Sequence, residues 1–422
     1  MSGCPFRPAP TAHDETDAGL SRRRLLGGAL GAAVAAPVAA TMTQSDGAGA
    51  SSQSAAARHP FHGAHQSGIL TPIQRSAAYV ALDAVASSVG ELRTTFRQMT
   101  ETIRFLTRGG TPPDTGLIGT SWDNGILGPK VPADGLTMTV SVGASLFDER
   151  FGLGAVRPAH LRRMDEFPND ALDRRICDGD VLIQICADNA DTVNHALRQI
   201  LRTTRSTLQV RWRQDGFQSP PRPSGAPRNL LGFKDGTANP SVSDRQLMET
   251  LVWTHARGRE PDWVEGGSYH VVRKIRMLVE FWDRVSVREQ ETMFGRSKAS
   301  GAPLTGTRET DEPDFGSDGN GEVIRFDAHI RLANPRSVDT SREQILRRSF
   351  NYDGGTDPNG QLDMGLIFTA FNQDLERQFV AIQKRLIDEP LVDYISPVGG
   401  GYFFALPGVR DENDWFGRGM FV

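Results

Sequence analysis

The feature that most constrains the fold is a pattern of short apolar strands and amphipathic helices that occurs twice along the chain. In the first half, the pattern comprises strands at residues 79–85, 136–142, 180–187 and 208–212 and helices at 88–107 and 193–201. The order strand–helix–strand–strand–helix–strand is typical of a ferredoxin-like α+β domain.

The second half repeats this order after a segment rich in Pro, Ser and Gly at residues 216–228. Its elements are a long strand at 269–282, a helix from the capping box of Ser286 and Glu289 to Phe294, a strand at 366–371 and a helix over 375–386. The chain is therefore predicted to form two ferredoxin-like α+β domains with antiparallel sheets, at residues 61–215 and 225–422.

The amino terminus differs in composition from the rest of the chain. Arginines at 22–24 precede Leu-Leu and a mildly apolar run at 27–40, which is too short and too small-sided to span a bilayer stably. Paired arginines before such a run indicate a twin-arginine export signal, predicted here over residues 1–40. Residues 41–60 are rich in Ser, Ala, Gln and Gly and are predicted to form a flexible linker. Because the twin-arginine route carries folded proteins, it favours a protein that already holds a cofactor when it is exported. The expected location is the periplasm or outside the cell.

Net charge argues against one class of function, and the cysteines predict the state of the thiols and how a haem would be held. The net charge of −4 argues against a nucleic-acid-binding surface. Cys177 and Cys186 flank one apolar strand, which separates them beyond disulfide distance unless the chain turns at residues 178–180. Two free buried thiols are therefore predicted. No C-x-x-C-H motif is present, so a haem would be held without a covalent bond.

Three segments carry candidate chemistry. His329 lies between an acidic residue and two arginines in a segment that ends in Asn-Pro. A neutral imidazole can ligate a metal and guanidinium groups can pair with carboxylates, so haem, with its iron and two propionates, would satisfy both. Asp235 lies in a tight loop bracketed by Gly and Pro at 232–240, and Arg347 follows the histidine by eighteen residues.

These segments resemble the dye-decolorising peroxidase family. The motifs are Gly-x-x-Asp-Gly at 232–236 followed by Thr-Ala-Asn-Pro, Asp-x-His-Ile-Arg at 327–331, and Leu-Arg-Arg-Ser-Phe at 346–350. The chain is most similar to the twin-arginine-exported haem peroxidases of bacterial ferrous-iron uptake operons, also called deferrochelatases. The resemblance implies two ferredoxin-like domains in a barrel-like α+β arrangement, with haem in the C-terminal domain.

The resemblance also implies roles for individual residues. His329 would be the proximal iron ligand, Asp235 the distal acid/base and Arg347 the distal cation. Arg348 is the rival for the distal role, although on a strand it would point to the opposite face. The remaining implied cofactor-binding residues are Gly236, Thr237, Ala238, Asn334, Pro335 and Arg336 along the haem edge, and Asp393 as the acceptor from the proximal imidazole, with an ordinary buried acid as the alternative for Asp393. Arg331 and Arg276 are candidate propionate partners, with surface roles as the alternative.

The expected function is that of an exported peroxidase holding non-covalent haem b. Its expected substrates are hydrogen peroxide together with dyes, phenols, porphyrinogens or ferrous iron, and its expected partners are iron-uptake permease components and a second copy of the chain in a homodimer. The alternative is a deferrochelatase that releases iron from haem and leaves the porphyrin ring intact. Chlorite dismutase is a third candidate that shares the general fold, and the Gly-x-x-Asp-Gly loop argues against it.

Overall fold

A computed structural model describes residues 57–421 of the chain. The predicted export signal, and the predicted linker as far as residue 56, lie outside the described residues. Within the described part, no helix is long and apolar enough to cross a membrane.

The first four strands and two helices form the predicted ferredoxin-like arrangement. These elements are β1 (Ser76–Ala84), α1 (Val89–Arg108), β2 (Thr137–Gly143), β3 (Val181–Ala187), α2 (Ala190–Thr204) and β4 (Leu208–Phe217). The strands are antiparallel and lie in the order β4-β1-β3-β2, with α1 and α2 as the two connecting helices. Ser88 caps helix α1, because its hydroxyl accepts from the Glu91 N–H, and the helix buries the apolar stripe that its sequence predicts.

The second half repeats the same strand order. Its elements are α3 (Arg245–Leu251), β5 (Ser268–Met277), α4 (Val279–Trp282), α5 (Val287–Phe294), α6 (His329–Ala333), β6 (Leu346–Arg347), β7 (Phe350–Thr356), β8 (Leu362–Asn372), α7 (Ala381–Arg385, continuing a π-helical turn at Glu376–Val380) and β9 (Ile395–Ala405). Strands β9, β5, β8 and β7 are neighbours in that order, and β6 pairs with the other end of β8.

Two seams join the halves into one continuous sheet. Strand β2 pairs with β9, where Val142 lies opposite Phe404, and β4 pairs with β7, where Phe217 lies opposite Asn351. Since β5 also pairs with β8, the eight longer strands close into a ring. The predicted antiparallel, barrel-like α+β fold is therefore confirmed.

The strand predicted over residues 269–282 is too long. Strand β5 ends at Met277, and residues 279–282 form the short helix α4. Trp282 is fully buried there, and its indole N–H donates to the Leu231 carbonyl at 2.9 Å. An apolar run can thus belong to a buried helix, because apolar periodicity alone does not separate short buried strands from short buried helices.

Cys177 and Cys186 are free and buried, as predicted. Burial raises the pKa of the Cys177 thiol to about 11 and also raises that of Cys186. Such thiols remain protonated and unreactive at neutral pH.

Candidate active site

A large cavity in the second half of the chain contains the three principal residues. Its volume is about 1500 Å³, including space open to solvent, and His329, Asp235 and Arg347 all line it. The apolar part of the lining includes Ile275 and Met277 of β5, Leu366 and Phe368 of β8, and Phe379, Ile382 and Leu386 beside or on α7. The cavity therefore lies between the sheet and a helix.

His329 begins helix α6 and is oriented by a buried carboxylate. Its Nδ1 lies 2.6 Å from Oε2 of Glu389, whose side chain is only 4% exposed. Burial favours the neutral ring, but the Glu389 carboxylate outweighs this effect and raises the pKa of His329. With Nδ1 engaged by Glu389, Nε2 is the nitrogen available to a metal, and such a partner increases the basicity of a ligating imidazole.

The predicted acceptor for this imidazole, Asp393, is wrong. Asp393 is exposed at the end of a 3-10 turn, Pro390–Asp393, and Glu389 immediately precedes that turn and faces the cavity. The two carboxylates are four residues apart in sequence, and the turn directs only the first of them inward.

Glu389→Gln should weaken haem binding to the apoprotein about 10–100-fold, because loss of an outer-shell carboxylate reduces imidazole basicity. Asp393→Asn is the matched control and should leave the affinity unchanged. Titration of both apoproteins with haem, followed by absorbance, measures the difference. Equal affinities for the two variants would contradict the assignment of Glu389.

The loop that carries Asp235 is held by buried aromatic packing. Phe233 stacks on Phe294 at 3.9 Å between ring centroids, and the Phe294 ring lies 5.8 Å from that of His329. The Asp235 N–H donates to the Pro227 carbonyl at 2.9 Å. The loop and the histidine thus rest on the same aromatic cluster, which fixes their relative position.

Asp235 and Arg347 form an ion pair in the cavity. Nη1 of Arg347 lies 3.0 Å from Oδ1 of Asp235, and both side chains are mostly buried. Asn239 fixes this pair, since its amide donates to the Arg347 carbonyl at 2.8 Å and accepts from the Arg347 N–H at 3.2 Å. Arg348 lies away from the cavity and donates to Gln74 at 2.7 Å, so it points to the opposite face, as its strand position predicts.

Glu309, in the long loop after α5, anchors the Asp235 loop. Its carboxylate accepts from the Ala226 N–H at 2.8 Å and from the Thr237 hydroxyl at 3.0 Å, and it pairs closely with the Lys234 ammonium. Burial disfavours the carboxylate, but these three donors outweigh burial and lower the pKa of Glu309. Sequence spacing gave no signal for this residue, which lies more than seventy positions from the loop it holds.

The lowered pKa of Glu309 predicts an acid-dependent stability difference. Its stabilising interactions are complete above its ordinary pKa of 4.5 and are lost as the pH falls through the lowered folded-state value. Glu309→Gln should therefore be less stable than the wild type by roughly 1–3 kcal/mol at neutral pH, and the difference should narrow below about pH 4.5. Denaturant unfolding between pH 3 and 7 measures this, with the exposed Glu312→Gln as control. A pH-independent difference would contradict it.

Three arginines give the cavity a cationic side. Arg296, Arg336 and Arg347 all line it, and burial together with the nearby Arg336 and Arg347 lowers the pKa of Arg296. Within the described part of the chain, Arg296 donates only to the carbonyls of Gly301 and Glu309, and the Arg336 side chain pairs only with the exposed Glu312 at 3.3 Å. The carboxylates of a ligand would relieve this repulsion. A large apolar cavity, one available imidazole nitrogen and under-compensated guanidinium groups together fit haem.

Arg336 occupies an unusual backbone conformation at the edge of this site. Its φ of +59° is uncommon for a residue with a side chain, and its N–H donates to the Asn334 side chain at 3.2 Å. Strain of this kind concentrates at ligand-binding positions. Asn334 and Arg336 both line the cavity, whereas Pro335 between them lies outside the lining.

The remaining predicted site residues divide into two groups. Gly236, Thr237 and Ala238 line the cavity. Arg331 does not, because its position on α6 turns it toward Asp318 at 3.3 Å and the Ile324 carbonyl at 2.8 Å. Arg276 faces the other side of β5 and pairs with Asp357 at 2.7 Å. Arg331 and Arg276 are therefore wrong as propionate partners, and Arg296 and Arg336 are better placed.

Comparison with known proteins places the chain in one family. The family models described as "Dyp-type peroxidase, N-terminal" and "Dyp-type peroxidase, C-terminal" match residues 66–218 and 226–410. The curated protein "Deferrochelatase" from Escherichia coli (strain K12) is 50% identical over 408 residues, covering 95% of this chain and 96% of its own. A protein of the same name from Shigella flexneri matches at 50% over 406 residues, with the same shares.

Solved structures agree with this placement. The DyP-type peroxidase from Cellulomonas bogoriensis is 36% identical, with a TM-score of 0.77 over 87% of this chain and 99% of its own. Ferric DtpA from Streptomyces lividans is 33% identical, with a TM-score of 0.78 over 87% of this chain and 98% of its own. The chain therefore belongs to the Dyp-type peroxidase family of haem-dependent enzymes.

Proposed function

We propose that the protein is an exported peroxidase that holds haem b without a covalent bond and uses hydrogen peroxide to oxidise small aromatic, porphyrin or ferrous substrates. The observation that carries this proposal is the placement of two pairs, His329 with Glu389 and Arg347 with Asp235, around one cavity. The first pair provides a basic imidazole, and the second provides an acid/base group beside a fixed cation.

The residues that would hold the cofactor follow from their chemistry. Nε2 of His329 would ligate the iron, and the propionates would pair with Arg296 and Arg336. Cys177 and Cys186 lie outside the cavity lining, which supports non-covalent binding. The apolar side chains of β5, β8 and α7 would cover the faces of the macrocycle and exclude water from it.

The bound haem iron would supply the redox chemistry of peroxide cleavage. Asp235 would accept a proton from one peroxide oxygen and return it to the oxygen that leaves as water. Arg347 would hold the Asp235 carboxylate in place through their ion pair and stabilise negative charge on the leaving oxygen. Glu389 would increase electron donation from His329, which favours oxidised states of the iron.

The proposal also includes export through the twin-arginine route and a periplasmic or extracytoplasmic location. It further includes association with iron-uptake permease components and a homodimeric state. The arginines at 22–24, followed by Leu-Leu and a short apolar run, support the export step. Fusing residues 1–60 to a reporter that depends on the twin-arginine route tests it, with both Arg22 and Arg23 changed to Lys as control. A reporter that remains in the cytoplasm would contradict export.

A second candidate function is iron release from haem with the ring intact. The name of the 50% identical relatives, Deferrochelatase, supports this alternative. The same cavity would serve both reactions, so product analysis separates them. Holoprotein incubated with excess haem should yield free protoporphyrin if the chain is a deferrochelatase. Rapid peroxide turnover with no free protoporphyrin supports the peroxidase, and an inactive holoprotein that yields neither result would contradict both.

A further inference from the structure

A fourth arginine faces the cavity from a different part of its wall. Arg273 lies on β5 and its side chain is 1% exposed, yet it lines the same cavity as His329. One of its nitrogens, Nη2, pairs closely with the equally buried Asp170. Its guanidinium carbon lies 5.4 Å from the Phe167 ring and 6.0 Å from the Phe379 ring, so two aromatic groups confine it.

The pairing of Arg273 is incomplete. Nε and Nη1 are buried and have no hydrogen-bond partner among the described residues. A guanidinium stays charged in proteins and carries five donors in a fixed plane, and one carboxylate leaves several of them unused. Buried donors without partners are rare in folded proteins, and an acceptor bound beside Arg273 would satisfy them.

This group is separate from the three arginines described above. Arg273 lies opposite Phe368 of β8, and Arg347 lies opposite Ala370 on the other side of the same strand. The backbones of β5 and β6 are therefore about 10 Å apart, or two inter-strand spacings. Gln383 follows Phe379 by one helical turn and also lines the cavity.

We propose that Arg273 and Gln383 form an inner anion subsite that binds a carboxylate of a porphyrin carrying more than two carboxylates. This inference rests on the proposed haem-binding function and deepens it by naming a substrate class. The two propionates of haem b would be met by Arg296 and Arg336, which leaves the Arg273 donors for a further carboxylate on the ring.

Binding of metal-free porphyrins to the full-length apoprotein tests the subsite. Coproporphyrin III carries four propionates and mesoporphyrin IX carries two, and fluorescence quenching gives the affinity for each. The wild type should bind coproporphyrin at least tenfold more tightly than mesoporphyrin. The double variant Arg273→Met/Asp170→Asn should lose this preference by about 10–100-fold and bind mesoporphyrin normally, because a hydrogen bond to a charged group contributes about 1.5–3 kcal/mol.

Asp170→Asn in the double variant avoids an unpaired buried carboxylate and keeps the acceptor for the Phe167 N–H. Asp170→Asn alone keeps Arg273 and should keep the coproporphyrin preference. Equal weakening of both porphyrins in the double variant would show a purely structural pair and overturn the proposal, as would an unchanged preference. If the wild type binds neither porphyrin, the proposed haem-binding function itself fails.

Discussion

Replacement of His329 by alanine is expected to cause the largest loss of haem of any single substitution in the chain. His329 is the only histidine in the lining of the cavity among the described residues, and its Nε2 is left available by the Glu389 contact. Loss of the carboxylate that hydrogen-bonds to a ligating histidine reduces metal affinity about 10–100-fold, and loss of the histidine itself should reduce it further. Haem content after purification and the affinity of the apoprotein for added haem measure the effect.

The control for this experiment is a histidine outside the cavity. His255 is bonded to Glu265 at 3.1 Å near the surface, so His255→Ala should retain normal haem content. Thermal unfolding of both apoproteins shows whether the fold survives each change. Normal haem occupancy in His329→Ala, with a spectrum unchanged from that of the wild type, would refute the ligand assignment.

Asp235→Asn is expected to keep haem bound and to slow the reaction with peroxide by about 10²–10⁴-fold, the usual contribution of a positioned acid/base group. Asparagine retains the shape and a hydrogen-bond acceptor for Arg347, so the loop should keep its position. The asparagine amide does not accept a proton, so no side chain at this position carries the proton from one peroxide oxygen to the other. Stopped-flow absorbance of the holoprotein after mixing with peroxide measures the rate directly.

Asp393→Asn is the control, since Asp393 is exposed and lies outside the cavity lining. Arg347→Leu completes the comparison, because Arg347 is the partner of Asp235 at 3.0 Å. If Asp235→Asn reacts at the wild-type rate and Arg347→Leu does not, the essential role belongs to the arginine. If neither change slows the reaction, the proposed site is wrong.

Much of the fold could be predicted because the buried apolar residues recur at a regular spacing along the sequence. In α1, Leu92, Phe96 and Met99 recur at helical spacing, and each is fully buried. Strand β6 is only two residues long, which is too short to carry a period. Strand β6 positions Arg347 by pairing with β8, which is distant in sequence.

The site was only partly predictable for a related reason. His329, Asp235 and Arg347 lie in local motifs that can be recognised one at a time. Glu389 and Glu309 act through contacts sixty or more residues away, and no local pattern distinguishes them from other acidic residues. Glu389 and Asp393 are only four residues apart, so the sequence alone does not show which carboxylate accepts from the His329 imidazole.

The arginines show the same limit. Arg331 is close to His329 in sequence and was therefore expected at the propionates, but helical geometry turns it toward Asp318. Arg296 is thirty-three residues before the histidine and reaches the cavity through the loop that follows α5. Charge near a motif in sequence is thus a poor guide to charge near a ligand in space.

The absorption spectrum of the full-length protein, loaded with one equivalent of haem and recorded before and after one equivalent of peroxide, tests the central claim most directly. The account predicts one haem bound per chain, a Soret band that His329→Ala alters or abolishes, and a rapid spectral change on peroxide addition that Asp235→Asn slows. A protein that takes up no haem, or whose haem spectrum is the same with and without His329, would contradict it.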